Sequence, residues 1–281
     1  MSHDFKTILI GLAPSEDTTG AATPALDFGL GLARRFGGQT TFFVFVPKVS
    51  VPYSAIGGFA GDLVGTENER RRTMATATAK TATAAATEAG IGFAVEQPDL
   101  YFEDLAKRFN HLTRLNDVTI LDSGPDAIAE SRYGIEEALF NSGRPVVVVP
   151  RNGGNPQPRR ISIAWDGSAR SARAVSDALP LLAAAQKVTV TVVTGEKDLS
   201  HNTSGEELVG YLARHGIVAD LAKLPVGKDG VAGTLREHAT TSGAEMLVMG
   251  AFVHSWFRQT VLGGVTRSLL DDTPVPLFMA Y

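Results

Sequence analysis

Apolar runs of strand length recur along the chain, each followed by a stretch of helical spacing, and the whole succession occurs twice. Thr7-Ile8-Leu9-Ile10, closed by Gly11, opens one copy; Ile161-Ser162-Ile163-Ala164-Trp165 opens the other, ahead of Asp166-Gly167-Ser168. The copies also end alike, Pro145 leading Val146-Val147-Val148-Val149 and Pro276 leading Leu277-Phe278-Met279-Ala280. Between these ends, residues 41–46, 92–95 and 118–121 supply strands in the first copy, and 188–193, 218–221 and 246–249 in the second. Strands this apolar are covered on both faces, and their alternation with helices predicts right-handed crossovers in a mostly parallel sheet. The expected fold is therefore α/β, two doubly wound five-stranded domains over 1–150 and 159–281. Turn formers in Arg151-Asn152-Gly153-Gly154-Asn155-Pro156-Gln157-Pro158 mark the linker.

Residues 74–90 are nearly all alanine and threonine, but Glu67 and Glu69 ahead of them and the absence of proline predict a helix rather than a low-complexity tract. Arg70-Arg71-Arg72 reads as a solvated charged turn, with anion binding as the sharper alternative. The glycine- and aromatic-rich stretch 47–65 reads as a long loop suited to covering a ligand or a protein contact. Ser168 is expected to cap a helix whose inner face is Ala172, Val175, Leu179 and Leu182, rather than to act as a nucleophile. Pro180, inside that pattern, is expected to kink or divide it.

Composition narrows the function classes. A chain of 281 residues exceeds one ordinary core. Its 26 basic against 30 acidic residues, net charge −4, give no footprint for nucleic acid and no polybasic membrane patch. No apolar run approaches the roughly 20 residues that span a bilayer, and the amino terminus lacks the pattern of a signal peptide. With no cysteine, disulfides and thiolate metal sites are excluded. A cytoplasmic location is expected. Six histidines, His201, His215 and His238 among them, lack ligand spacing and read as solvated surface positions. No P-loop, nucleophile elbow or zinc-protease motif occurs, so catalysis is not expected.

In an open parallel sheet, ligands bind beyond the carboxyl ends of the strands where the strand order reverses. In the second copy the loop after the first strand carries Asp166, a carboxylate able to accept from an adenine amino group or a ribose hydroxyl. The loop after the fourth strand runs from Gly250 to Thr266, with Gly263-Gly264 opening a helix. Amides at a helix start attract anions, and glycine removes the Cβ that would hold a phosphate off. His254 and Arg258 place two basic side chains on the same loop. Trp256 and Phe257 read as anchors of that loop over the core.

The stretch 161–175 with its Trp165-Asp166-Gly167-Ser168 turn, and the stretch 247–280, resemble the universal stress protein family. Its nucleotide-binding members carry Gly, two residues, Gly, nine residues, then Gly-Ser or Gly-Thr; Gly250 falls on the first of these glycines and Gly263 on the third. The resemblance implies strand order 3-2-1-4-5, ATP or another adenine nucleotide, with or without Mg, between strands one and four, and Val193 near the adenine. It also implies dimerisation through the last strand, so that in a tandem chain 146–149 pairs with 277–280 as an intramolecular pseudo-dimer; a homo-oligomer and an unidentified protein partner are further expectations. Two positions depart from the pattern: Val253 stands at the second glycine, and Gly264 where a phosphate-binding hydroxyl would be. Thr266 matches a family hydroxyl position and would substitute in part. Losing one hydrogen bond to a charged group costs about 1.5 to 3 kcal/mol, roughly ten- to hundredfold in affinity.

The first copy is the poorer candidate. Asp122 aligns with Gly250 and would repel phosphate, Ala13 replaces Asp166, and Asp122 to Pro145 spans 23 positions against 26 from Gly250 to Pro276. With the prolines aligned, Arg132, Tyr133 and Ile135 replace Gly263, Gly264 and Thr266. The expectation is a stress-response protein that binds an adenine nucleotide (ATP, ADP or AMP) in its second domain, with at most slow hydrolysis. The alternative is a nucleotide-free interaction or scaffold protein.

Overall fold

The computed structural model describes residues 4–14, 20–50, 58–123, 130–195, 202–251, 253–254 and 261–281. The first half runs β1 (Thr7–Leu12), α1 (Pro24–Phe36), β2 (Gln39–Val44), α2 (Gly58–Ala89), β3 (Phe93–Glu96), α3 (Phe102–Leu115), β4 (Val118–Asp122), α4 (Glu130–Asn141) and β5 (Val146–Val149). The second half runs β6 (Arg160–Ala164), α5 (Ala169–Leu182), β7 (Lys187–Thr194), α6 (Gly205–Arg214), β8 (Ala219–Pro225), α7 (Gly230–Thr241) and β9 (Met246–Gly250). It ends with β10 (Val253–His254), β11 (Val261–Leu262), α8 (Gly264–Asp271) and β12 (Leu277–Ala280).

Ten strands form one continuous sheet in the order β3-β2-β1-β4-β5-β12-β9-β6-β7-β8. Within each half the order is 3-2-1-4-5 and every pairing is parallel. The halves join through the antiparallel pair β5–β12, Leu277 opposite Val148 and Phe278 opposite Val147. The pseudo-dimer implied by the resemblance is thus built into the chain. All four residues of each seam strand are buried, because helices cover both faces. Ile8, Ile10, Phe28, Val147, Ile163, Val175, Val190 and Phe278 belong to one core, and Leu9, Phe109, Val148, Leu247, Leu269 and Met279 to the other. Each core crosses the seam, so side chains of one half complete the packing of the other.

Rings add to the join. Phe5 lies 6.3 Å from Phe278, and Tyr281 meets Phe140 edge to face at 5.1 Å, with the Arg170 guanidinium over the Tyr281 ring at 4.6 Å. The linker is packed rather than free: Pro156 lies against Gly31 of α1, and a Cβ at that glycine would fall 2.4 Å from the proline ring. The halves also begin alike. The Asp117 carboxylate accepts from the amides of Lys6 and Thr7 (2.8 and 2.9 Å), and the Glu245 carboxylate accepts from those of Arg159 and Arg160.

Several expectations need correction. α2 starts at Gly58, well ahead of residue 74, so the second part of the expected loop 47–65 is helix. Pairs three and four residues apart, Glu67 with Arg70 and Arg71, support that turn. Arg71 and Arg72 are likewise committed, Arg71 also to the Pro47 carbonyl and Arg72 to Glu69 and Asp99, so the arginine run is a partly exposed, ion-paired turn of α2, as its leading reading had it, and not an open anion site. Pro180 does not divide α5, which continues to Leu182: two residues from the end, its missing amide and ring disturb only the last turn. His238 is half-buried rather than solvated, its Nε2 enclosed with no hydrogen-bond partner among the described residues and its pKa lowered by burial. His201 lies outside the described residues. No helix among the described residues is long and apolar enough to cross a membrane.

Candidate functional site

In the second half the strand order reverses at β6, with β7 on one side and β9 on the other. The register places Ala164 opposite Met249, so the loop carrying Asp166 and the loop leaving Gly250 emerge side by side at the carboxyl edge. Ser168 caps α5 by accepting from the Ser171 amide at 3.2 Å, as its position predicted. Asp166 turns one carboxylate oxygen back to the Ser168 amide at 3.0 Å. The chain after β7 closes over this turn: Asn202 Nδ2 donates to the Asp166 carbonyl at 2.8 Å, and Trp165 Nε1 donates to the Thr203 carbonyl at 2.8 Å. Gly167 has φ +71° and no room for a side chain under that segment. The Asp166 loop is therefore held by its own turn and by the 202–203 segment, through the Asn202 side chain and the Thr203 carbonyl.

Gly250 has a duty that the sequence did not disclose. A Cβ there would lie 2.5 Å from the Ser171 nitrogen and 2.7 Å from the Arg170 carbonyl carbon. The missing side chain makes room for the amino end of α5 itself, a packing requirement that operates with or without a phosphate. The chain then forms a small antiparallel ribbon, Val253 opposite Leu262 and His254 opposite Val261. Nothing in the glycine spacing signalled that ribbon. His254 is on its first strand; Arg258, with Trp256 and Phe257, lies outside the described residues.

α8 begins directly after the ribbon. Gly263 is its buried N-cap, with extended backbone and no side-chain cap, and no acidic residue stands in the first turn. Gly264 is exposed, with open space where a Cβ would be. Such an end keeps the amide dipoles available to an anion. Thr266 is fully buried, with no accessible surface, so its hydroxyl does not face solvent at this end. Val193 sits at the carboxyl end of β7, partly buried against the core under α7. The structure thus brings the Asp166 loop and Gly250 together beside the α5 start, leaves the first residue of α8 open, and turns Thr266 inward.

The equivalent edge of the first half is built differently. Asp122 and Gly250 are the last paired residues of β4 and β9, opposite Val149 and Ala280, which confirms their alignment. The Asp122 carboxylate accepts from the Ala25 amide at 2.7 Å, in the first turn of α1, and from the Thr23 hydroxyl. An internal carboxylate therefore occupies the helix end that, in the second half, lies against a bare glycine. Burial pushes its pKa up to about 6 against these hydrogen bonds, and Asp27 adds to the rise. α4 starts one turn earlier than α8 relative to the closing proline, and Tyr133, at the place of Gly264, packs its ring on Phe102 at 4.8 Å. A cavity of about 20 Å³ remains between the ends of β1 and β4, lined by Gly11, Ala13, Phe45, Phe109, Leu121, Asp122 and Gly134.

No protein-family model and no curated protein matches this chain. Solved structures do. A universal stress protein from Archaeoglobus fulgidus superposes with a TM-score of 0.67 at 16% identity, covering 99% of each chain. A protein of unknown function from Pseudomonas aeruginosa gives a TM-score of 0.61 at 14% identity over 98% of this chain and 92% of its own. A second P. aeruginosa chain, provisionally named a universal stress protein, gives 0.58 at 14% identity over 98% and 93%. At these identities the likeness is one of architecture, and the chain has the fold of a two-domain universal stress protein.

Proposed function

We propose that this is a stress-response protein that holds an adenine nucleotide in its second half and alters its protein contacts with occupancy. The observation that carries the proposal is the amino end of α8, where Gly263 and Gly264 leave the first turn without a side-chain cap, an acidic neighbour or a Cβ obstruction. Asp166 supplies an acceptor at the neighbouring strand end, with Val193 on the adenine side and His254 and Arg258 on the phosphate loop. Any Mg would arrive with the phosphates, since no group of three acidic or histidine side chains able to hold a metal occurs among the described residues. Catalysis beyond slow hydrolysis is not proposed. A nucleotide-free scaffold is the second reading, favoured by the burial of Thr266 and by the packing role of Gly250.

Mass spectrometry of small molecules released from the denatured protein, followed by thermal shift with ATP, ADP and AMP, separates the two. Ligand at 100 times its Kd adds about 2.7 kcal/mol of stability. Gly263→Asp, which puts a carboxylate at the α8 start, should abolish the shift while leaving the unliganded melt in place. A flat response of the native chain at millimolar ATP favours the scaffold.

A further inference from the structure

The long helix α2 divides into two parts with different supports. From Ala75 onward it buries one side against the sheet, through Ala75, Thr78, Ala79, Ala82 and Ala86. From Gly61 to Thr73 no residue is buried, Leu63 is 70% exposed, and Gly61 and Gly65 have open space where a Cβ would be. A helical stretch of this length without a buried face does not hold itself in water, and each glycine weakens it further. Polar ties to the chain leaving β2 and β3 hold it. The Asn68 amide meets both backbone groups of Val49, its Oδ1 accepting from the Val49 amide at 2.8 Å and its Nδ2 donating to the Val49 carbonyl at 3.1 Å. One side chain thereby does what a neighbouring strand would do. Arg71 donates to the Pro47 carbonyl at 3.1 Å, and Arg72 reaches Asp99 at 3.2 Å. Asp99 also holds Lys48 at 2.9 Å, and the Lys48 amide donates to the Leu100 carbonyl, so the two strand exits and the helix are tied at one place. Between them lies a cavity of about 20 Å³, walled by Val46 and Lys48 from the β2 exit, Gln97 and Asp99 from the β3 exit, and Asn68 and Arg72 from α2.

We propose that the part of α2 ahead of Ala75 is a strap over the carboxyl ends of β2 and β3 that unwinds and re-forms as a unit, with Asn68 as its latch and its boundary at Thr73–Met74, where burial begins. Exposed ion pairs such as Arg72–Asp99 are weakened by salt and by the entropy of long side chains. The Asn68 amide satisfies a backbone donor and a backbone acceptor together, which makes it the tie that decides closure. Releasing it opens the cavity to solvent and leaves the alanine-lined remainder of α2 on the sheet. Opening of this kind loses only exposed contacts, so its free energy lies below that of global unfolding. The strap is in the first half and is independent of the nucleotide reading.

Amide-resolved hydrogen exchange of the full chain, native and Asn68→Ala, tests the strap. In the native protein the amides of 66–73 should exchange at least about 100-fold faster, relative to their unstructured rates, than those of 79–88 in the same helix. Asn68→Ala should speed 66–73 about tenfold further and leave 79–88 within about twofold. Alanine is the better helix former, so faster exchange in the variant reports the lost latch and not a weaker helix. Retained protection at 79–88 shows that the variant is folded. Equal protection along the whole helix, unchanged exchange of 66–73 in Asn68→Ala, or equal speeding of both parts would each overturn the proposal.

Discussion

Replacing Asp122 by Asn should make the protein more stable at neutral pH, although it removes a charge that accepts two hydrogen bonds. The pKa of this carboxyl stands at about 6 in the folded chain against an ordinary 3.8. A rise of about two units corresponds to roughly 3 kcal/mol between the protonated and ionised forms, at about 1.36 kcal/mol per unit. The sign follows from proton uptake: the folded state holds the proton more tightly than the unfolded chain, so ionisation penalises folding. That penalty is absent below about pH 4, grows between pH 4 and 6, and is complete above. Asn keeps an oxygen for the Ala25 amide and carries no charge to desolvate. Its expected gain is about 1 to 3 kcal/mol at pH 8, allowing for lost attraction to the α1 dipole, and within about 0.5 kcal/mol of zero at pH 4. Urea unfolding of both proteins at pH 4, 5, 6 and 8 measures this as a divergence of midpoints at constant m. Parallel profiles, or a loss of stability in the variant at pH 8, would refute the burial argument and recast Asp122 as a net stabilising cap.

Gly250→Ala should destabilise by about 1 to 3 kcal/mol in the absence of any ligand, because the added Cβ meets α5 backbone at 2.5 Å; chemical denaturation of ligand-free protein checks it, and a neutral result would return Gly250 to a purely phosphate-related role. Phe278→Ala, at a fully buried seam position, should cost about 3 to 5 kcal/mol and lower the unfolding of both halves together. Calorimetry resolving two transitions, only one of them shifted, would contradict the shared core. His238→Gln should flatten the acid limb of the stability profile: burial lowers the folded-state pKa, so the native chain loses stability as pH falls below about 6.5, where the unfolded chain takes up the proton more readily, and glutamine does not titrate. Any advantage of the native protein over the variant should therefore shrink as pH falls below about 6.5, and parallel profiles would place the ring in solvent.

The alternation of apolar strands with helical spacing was enough to locate each strand of the ten-stranded sheet to within a few residues; the inner strands are apolar along their length because both faces are covered, while the edge strands β3 and β8 are largely exposed and are not covered on both faces as their apolar pattern suggested. The capping role of Ser168 was legible for a similar local reason, a hydroxyl placed one residue ahead of an amphipathic face. Local pattern failed where distant partners decide. α2 incorporates Gly61 and Gly65, which read as loop, because its flanking charges pair along the helix and Asn68 ties it to Val49. Gly250 read as a phosphate glycine, yet the atoms nearest its absent side chain belong to α5, some eighty positions away in sequence. Thr266 matched by spacing, but its exposure depends on which face of α8 meets the core.

What the residues determine unaided is the architecture, the duplication and the absence of a charge footprint for nucleic acid, since each follows from composition and short-range periodicity. Only the three-dimensional arrangement decides that the halves share two cores across an antiparallel seam, and that the equivalent helix starts meet a bare glycine in one half and a buried carboxylate in the other. Burial, and with it the protonation of Asp122 and the packing at Gly250, is a property of neighbours the chain brings together from afar. Periodicity within a segment carries no record of them.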